Sequence, residues 1–225
     1  EITKNKEEAS RYFKLSIEQG NVQSMYKYAI MLEKGDGIEQ SKEEAALYYK
    51  LAADKDNTDA MFNYAEMLYE GDGIEMNKKE AARYYKLAAD KDNVDAMANY
   101  AFMLSKGDGI EQNKREAARY YKLAVDKENV YSMFKYGVML YNGDGIEQNK
   151  KEASQYCKLA ADKGNVDAMI LYTLMLDEGD GIEQNKREAA RYYKLAADKD
   201  DVDSMFSYAE MLYEGDGIEM NKKEA

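Results

Sequence analysis

The pentapeptide Gly-Asp-Gly-Ile-Glu occurs six times, beginning at Gly35, Gly71, Gly107, Gly143, Gly179 and Gly215. Successive copies lie 36 residues apart with no insertion or deletion. A fixed period of this length restricts the chain to one class of architecture, in which a supersecondary unit repeats and stacks on its neighbours. One such unit buries too little apolar surface to stand alone, so the core has to run from unit to unit.

Within each period the residues sort into two helices. In the unit that starts at Asn57, helix A reads from Asp59 to Glu70 and is stopped by Gly71, and helix B starts near Asn77 and runs to Asp90. Met61, Tyr64, Ala65 and Leu68 stand at i, i+3, i+4 and i+7 and share one face. Ala81, Tyr84, Tyr85 and Ala88 form the matching face of helix B. The alanines let the helix axes approach, and the tyrosines and methionines fill the remaining space. Asp59, or the residues just before it, is read as the N-cap of helix A, and Asn77 with Glu80 as a capping box. There is no proline, so glycines and polar caps alone end the helices.

The chain is therefore read as one all-α array over 1–225. Residues 1–20 form the back half of a unit, full units span 21–56, 57–92, 93–128, 129–164 and 165–200, and 201–225 is a unit that stops as its second helix begins. Glu1 and Ala225 both fall inside units, which suggests a piece of a longer protein. Open ends of this kind leave apolar surface, with Tyr208, Met211 and Leu212 at one of them, and predict end-to-end self-association.

Composition narrows the function. The formal net charge of -12 disfavours nucleic acid and anionic membranes as partners. No apolar run approaches the roughly 20 residues of a membrane span. There is no histidine, the commonest general base and metal ligand. The single cysteine, Cys157, stands where other units have Tyr49, Tyr85, Tyr121 and Tyr193, so it reads as a packing residue and not a nucleophile. An unpaired thiol fits a reducing, cytoplasmic compartment. The acidic loops offer one Asp and one Glu each, short of the oxygen set that calcium needs, and a resident carboxylate suits no phosphate. Acidic pairs such as Glu43 and Glu44 sit in a helix's first turn, where the dipole favours them. The reading is of a non-enzymatic chain with no cofactor, metal or catalytic residue.

The unit spanning Ala60–Ala89, with Tyr64-Ala65, Leu68, Gly71-Asp72-Gly73-Ile74, Asn77, Ala81 and Tyr84-Tyr85-Lys86-Leu87-Ala88-Ala89, resembles the Sel-one-like repeat, a relative of the tetratricopeptide repeat. The resemblance recurs in every unit. Tyr64-Ala65 stands where that family usually has Leu-Gly, and Leu68 where it has Tyr. Gln40, Met76, Gln112, Gln148, Gln184 or Met220 replaces a common proline. The paired cysteines of the family's secreted bacterial members are absent, so their proposed drug-binding activities are not implied. The resemblance implies a right-handed superhelix of helix pairs, lined on its concave side by helix A, that acts as an adaptor for partner proteins or peptides.

Comparing the units within the chain locates a candidate surface. The variable helix A positions lie together, away from the Met-Tyr-Ala-Leu face. They carry Tyr26, Ile30, Phe62, Tyr69, Phe102, Tyr131, Phe134, Val138, Tyr141, Ile170, Leu171, Leu174, Phe206 and Tyr213. A stripe this apolar suggests a groove for a partner peptide or helix, richest in units 4 and 5. Two readings stand, an open groove or side chains buried between units. A further alternative is a spacer or scaffold array, since residues 208–225 repeat 64–81 without a difference, as block duplication would produce.

Overall fold

A computed structural model describes residues 2–217. Its described residues form twelve α-helices and no strand: α1 (Ile2–Glu18), α2 (Val22–Lys34), α3 (Lys42–Ala53), α4 (Thr58–Glu70), α5 (Lys78–Ala89), α6 (Val94–Lys106), α7 (Lys114–Val125), α8 (Val130–Asn142), α9 (Lys150–Asp162), α10 (Val166–Glu178), α11 (Lys186–Ala197) and α12 (Val202–Glu214). From α2 onward, even-numbered helices are A helices and odd-numbered ones are B helices. The second helix of the last unit, expected after Asn221, lies outside the described residues. The chain divides into two compact units, residues 1–113 and 114–225.

The caps follow from the polar residues at each junction. Asn57 Oδ1 accepts from the Ala60 amide at 2.8 Å, so Asn57 caps α4 and Asp59 sits in the first turn. Asn77 Oδ1 accepts from the Glu80 amide at 3.0 Å. The other half of a capping box does not form, because the Asn77 amide donates to the Leu68 carbonyl at 2.8 Å. At the other end of α4, Gly71 takes the left-handed conformation (φ 73°), and its amide and that of Asp72 both donate to the Met67 carbonyl. Between B and A helices, the left-handed position is filled by Gly20 and Gly164, but also by Asp56, Asp92, Glu128 and Asp200.

In the first unit, Met61, Tyr64, Ala65 and Leu68 of α4 are buried, as are Ala81, Tyr84, Tyr85 and Ala88 of α5. The Tyr64 and Tyr84 rings meet edge to face at 4.8 Å, and Tyr28 and Tyr48 do the same at 5.0 Å. The second unit repeats the contact with Tyr136–Tyr156 and Tyr172–Tyr192. Each pair contributes about 0.5–1.5 kcal/mol beyond its buried area. The buried face is wider than the helical spacing predicts, because Met31, Met67 and Met103, and Met139, Met175 and Met211 in the second unit, are buried as well.

The recurrent pentapeptide joins successive helix pairs. In the first unit, Lys6, Lys42 and Lys78, each at or near the start of a B helix, pair with Asp36, Asp72 and Asp108 of the following loop. In the second, Lys114, Lys150 and Lys186 pair with Asp144, Asp180 and Asp216. The loop lies against the backbone it pairs with. A Cβ on Gly73 (φ 75°) would lie 2.5 Å from Lys42 Cβ and 2.6 Å from its carbonyl carbon. The loop aspartate is thus held by an ammonium group in every described copy.

The expected apolar end is found in part. Met211 and Leu212 are buried, while Val202, Met205, Phe206 and Tyr213 of α12 are the exposed apolar residues. Met205 shares the predicted face with Tyr208, Ala209 and Leu212, and Tyr208 and Ala209 are only half-buried, so that face of α12 is covered in part and apolar surface remains on it.

Candidate functional site

The variable stripe has a different fate in each unit. In the first, Tyr26, Ile30, Phe62, Tyr69 and Phe102 are all half-buried. Tyr26 and Ile30 of α2 and Phe62 of α4 line an open cleft of about 420 Å³, with Tyr49 of α3 and Met67 at its base and Glu33, Lys34, Glu66 and Glu70 around it. Phe102 lies outside this cleft.

A polar layer runs beneath the aromatics. Tyr49 donates its hydroxyl to Glu33 Oε2 at 2.5 Å, and its ring lies 6.0 Å from that of Tyr26. Tyr85 donates to Glu66 Oε1, which also accepts from Asn99 Nδ2 at 2.7 Å. Burial, and then the bonded carboxylate, push both phenols well above the usual tyrosine range. Each B-helix tyrosine is therefore a neutral donor that fixes a glutamate of helix A at the cleft.

Tyr69 is used differently. Its hydroxyl donates to Asp108 Oδ2 at 2.8 Å, and Lys78 Nζ lies 4.9 Å from its ring centroid. Tyr141 repeats this in the second unit, donating to Asp180 at 2.7 Å under Lys150. Both belong to the clamp between helix pairs and not to an open groove.

In the second unit Phe134 is buried and shares a core cluster with Met133, Cys157, Met169 and Tyr172. Val138 and Leu171 pack against that cluster, and Ile170 is half-buried. Tyr131 and Leu174 are exposed, as are Phe206 and Tyr213. The fourteen predicted residues are thus not brought together in one groove within either unit. Burial raises the Cys157 thiol to about 12, so it is protonated and inert at neutral pH.

Sequence reasoning missed Glu33, Glu66 and Asn99 as groups of the site. The available signal was the alternation of carboxylate and apolar residues at the Ile30 and Glu33 positions of successive units.

Among the described residues there is no cluster of three or more metal-ligating side chains, and no helix is long and apolar enough to cross a membrane. A family model for the Sel1 repeat matches seven times, over residues 1–21, 22–57, 58–93, 94–129, 130–165, 166–201 and 202–225. The chain belongs to the Sel1-repeat family. Among solved structures it is similar to c5321, a protective antigen of uropathogenic Escherichia coli displaying an SLR fold, with a TM-score of 0.91 and 23% identity over 96% of this chain. That likeness is one of fold, and this chain spans 46% of the antigen's length. A Sel1 repeat protein from Oxalobacter formigenes matches with a TM-score of 0.78 and 26% identity, covering 91% of this chain and 84% of that one. No curated protein matches the chain. The helix pairs of about 36 residues thus form a Sel1-repeat solenoid fold, and Sel1 repeats generally serve protein interaction or scaffolding.

Proposed function

We propose that this Sel1-repeat chain is a protein-binding adaptor whose helix A surface holds a peptide or helical segment of a partner. The observation that carries the reading is the cleft lined by Tyr26, Ile30 and Phe62, where half-buried apolar side chains border open volume. Aromatic anchors beside fixed polar groups suit peptide capture. A reducing compartment fits the buried, unpaired thiol of Cys157.

A second reading, a scaffold array, draws support from the second unit. There Phe134 is core and Tyr141 is held in the clamp, so part of the stripe serves the array itself. Photocross-linking separates the two. Benzoylphenylalanine replaces Phe62 in one variant and Lys79, exposed on α5, in another, and each is irradiated in native extract. Cross-linking to a discrete partner from position 62 and not from 79 supports the adaptor. Equal cross-linking from both, or none from 62, supports the scaffold.

A further inference from the structure

We propose that the cleft between α2 and α4 is the seat of an arginine side chain from the partner; this rests on the adaptor reading above. The argument begins with why the cleft is open. In the next unit Tyr69 crosses to the following loop and donates to Asp108. The equivalent residue here is Glu33, which turns to Tyr49 instead. Asp72, the counterpart of Asp108, is left with Lys42, whose ammonium group meets both of its oxygens at 2.8 and 2.7 Å. The volume that a tyrosine would fill stays empty.

The charge around that volume selects its occupant. Glu33, Glu66 and Glu70 face it with one amine, Lys34. Among the described residues none of the three pairs with a lysine or arginine. Glu33 and Glu66 accept only from the neutral donors Tyr49, Tyr85 and Asn99. Glu33 and Glu66 are half-buried, Glu70 is exposed, and half-buried carboxylates without a counter-cation favour a cationic guest. The walls narrow the choice further. Phe62 offers an aromatic face on which a guanidinium plane stacks, Tyr26, whose ring centroid also lies 5.6 Å from Lys27 Nζ, adds aromatic contact, and Ile30 offers apolar contact to its methylene stem. A guanidinium also spans two carboxylates with its fixed fork of donors, which an ammonium group does not.

The test is selection of a random twelve-residue peptide library, displayed on phage, against the immobilised chain. Enriched peptides are expected to share an arginine. Replacing that arginine by citrulline, its uncharged isostere, should weaken binding about 10-fold, as should the double variant Glu33→Gln and Glu66→Gln, which removes the charges but keeps an oxygen for the tyrosine hydroxyls. Enriched peptides without arginine, or arginine peptides indifferent to citrulline or to the double variant, overturn the inference and leave the adaptor reading standing. No enrichment at all overturns both. The citrulline comparison leaves the protein untouched, so a variant that failed to fold would not rescue the idea.

Discussion

At the scale of single residues, the repeats serve as each other's controls. Ser132 is fully buried in α8, and its hydroxyl meets no partner among the described residues. The equivalent positions in neighbouring units hold Ala60, Ala96 and Ala168, all buried, so alanine fits this environment. An unpaired buried hydroxyl costs about 1–3 kcal/mol, and alanine is the better helix former. Ser132→Ala should raise stability by about 1 kcal/mol, read as a melting temperature higher by roughly 2–4 °C; an unchanged or lower value would mean the hydroxyl has a partner in solution. Glu128 makes a second case. It holds a left-handed backbone (φ 64°) where Gly20 and Gly164 stand in other units. Glutamate lacks the short side chain that lets Asp or Asn tolerate this region. Its ion pair with Lys163, at 3.1 Å, is largely exposed and contributes little. Glu128→Gly should therefore stabilise the chain by about 0.5–1 kcal/mol in thermal denaturation.

At the scale of helices and loops, the Gly-Asp-Gly turn provides a sharper contrast. Gly20→Ala meets nothing within 4 Å, so its cost is the left-handed backbone alone, about 1 kcal/mol. Gly73→Ala adds contact with Lys42 Cβ and carbonyl carbon at 2.5 and 2.6 Å, neither at the flexible end of a side chain. It should cost about 2–4 kcal/mol, the sum of strain and a displaced loop. Equal losses from the two variants would show that the close approach is unimportant. The same turn shows what was legible in the sequence. The period, the helix pairs and the glycine stops could be read directly, because backbone conformation and helical spacing are local. The partner of Asp72 could not, because Lys42 lies 30 residues earlier and the two meet only when helix pairs stack. The candidate surface was partly legible for the same reason. Phe62 and Phe134 occupy equivalent positions, yet one lines a cleft and the other is core. Phe62 packs beside Tyr85, with ring centroids 6.0 Å apart, whereas the residue equivalent to Tyr85 in the later unit is Cys157. The smaller side chain leaves space that Phe134 fills. Gly137 accompanies it, since a Cβ there would lie 3.0 Å from Cys157 Sγ. The concerted change of these residues was visible in the sequence, but its consequence depended on packing.

At the scale of the whole chain, the chemistry of the core sets a window of pH stability. Burial raises the phenols of Tyr26, Tyr49, Tyr64 and Tyr85 in the first unit and of Tyr131, Tyr136 and Tyr193 in the second, and takes Tyr172 to about 12. A group whose folded pKa is raised gives stability that is complete below its unfolded value, about 10 for tyrosine, and is lost as pH rises through the folded value. The carboxylates act in the opposite direction. Lys50 beside Asp54, Lys78 beside Asp108 and Lys150 beside Asp180 hold these groups below the usual carboxylate range. Their contribution is present above an unfolded value of about 3.9 and is lost as pH falls through the lowered folded values. No histidine titrates between these limits. Helix content measured by circular dichroism should therefore hold steady between about pH 5 and pH 9. Above about pH 10 it should fall together with the rise of tyrosinate absorbance at about 295 nm, because ionising a buried phenol requires opening the helix pair around it. If the full tyrosinate amplitude, all 21 phenols included, appeared near the ordinary pKa while the helices stayed intact, the buried tyrosines would be accessible to solvent, and the packed tyrosine layer would have to be abandoned as the element that holds the helix pairs together.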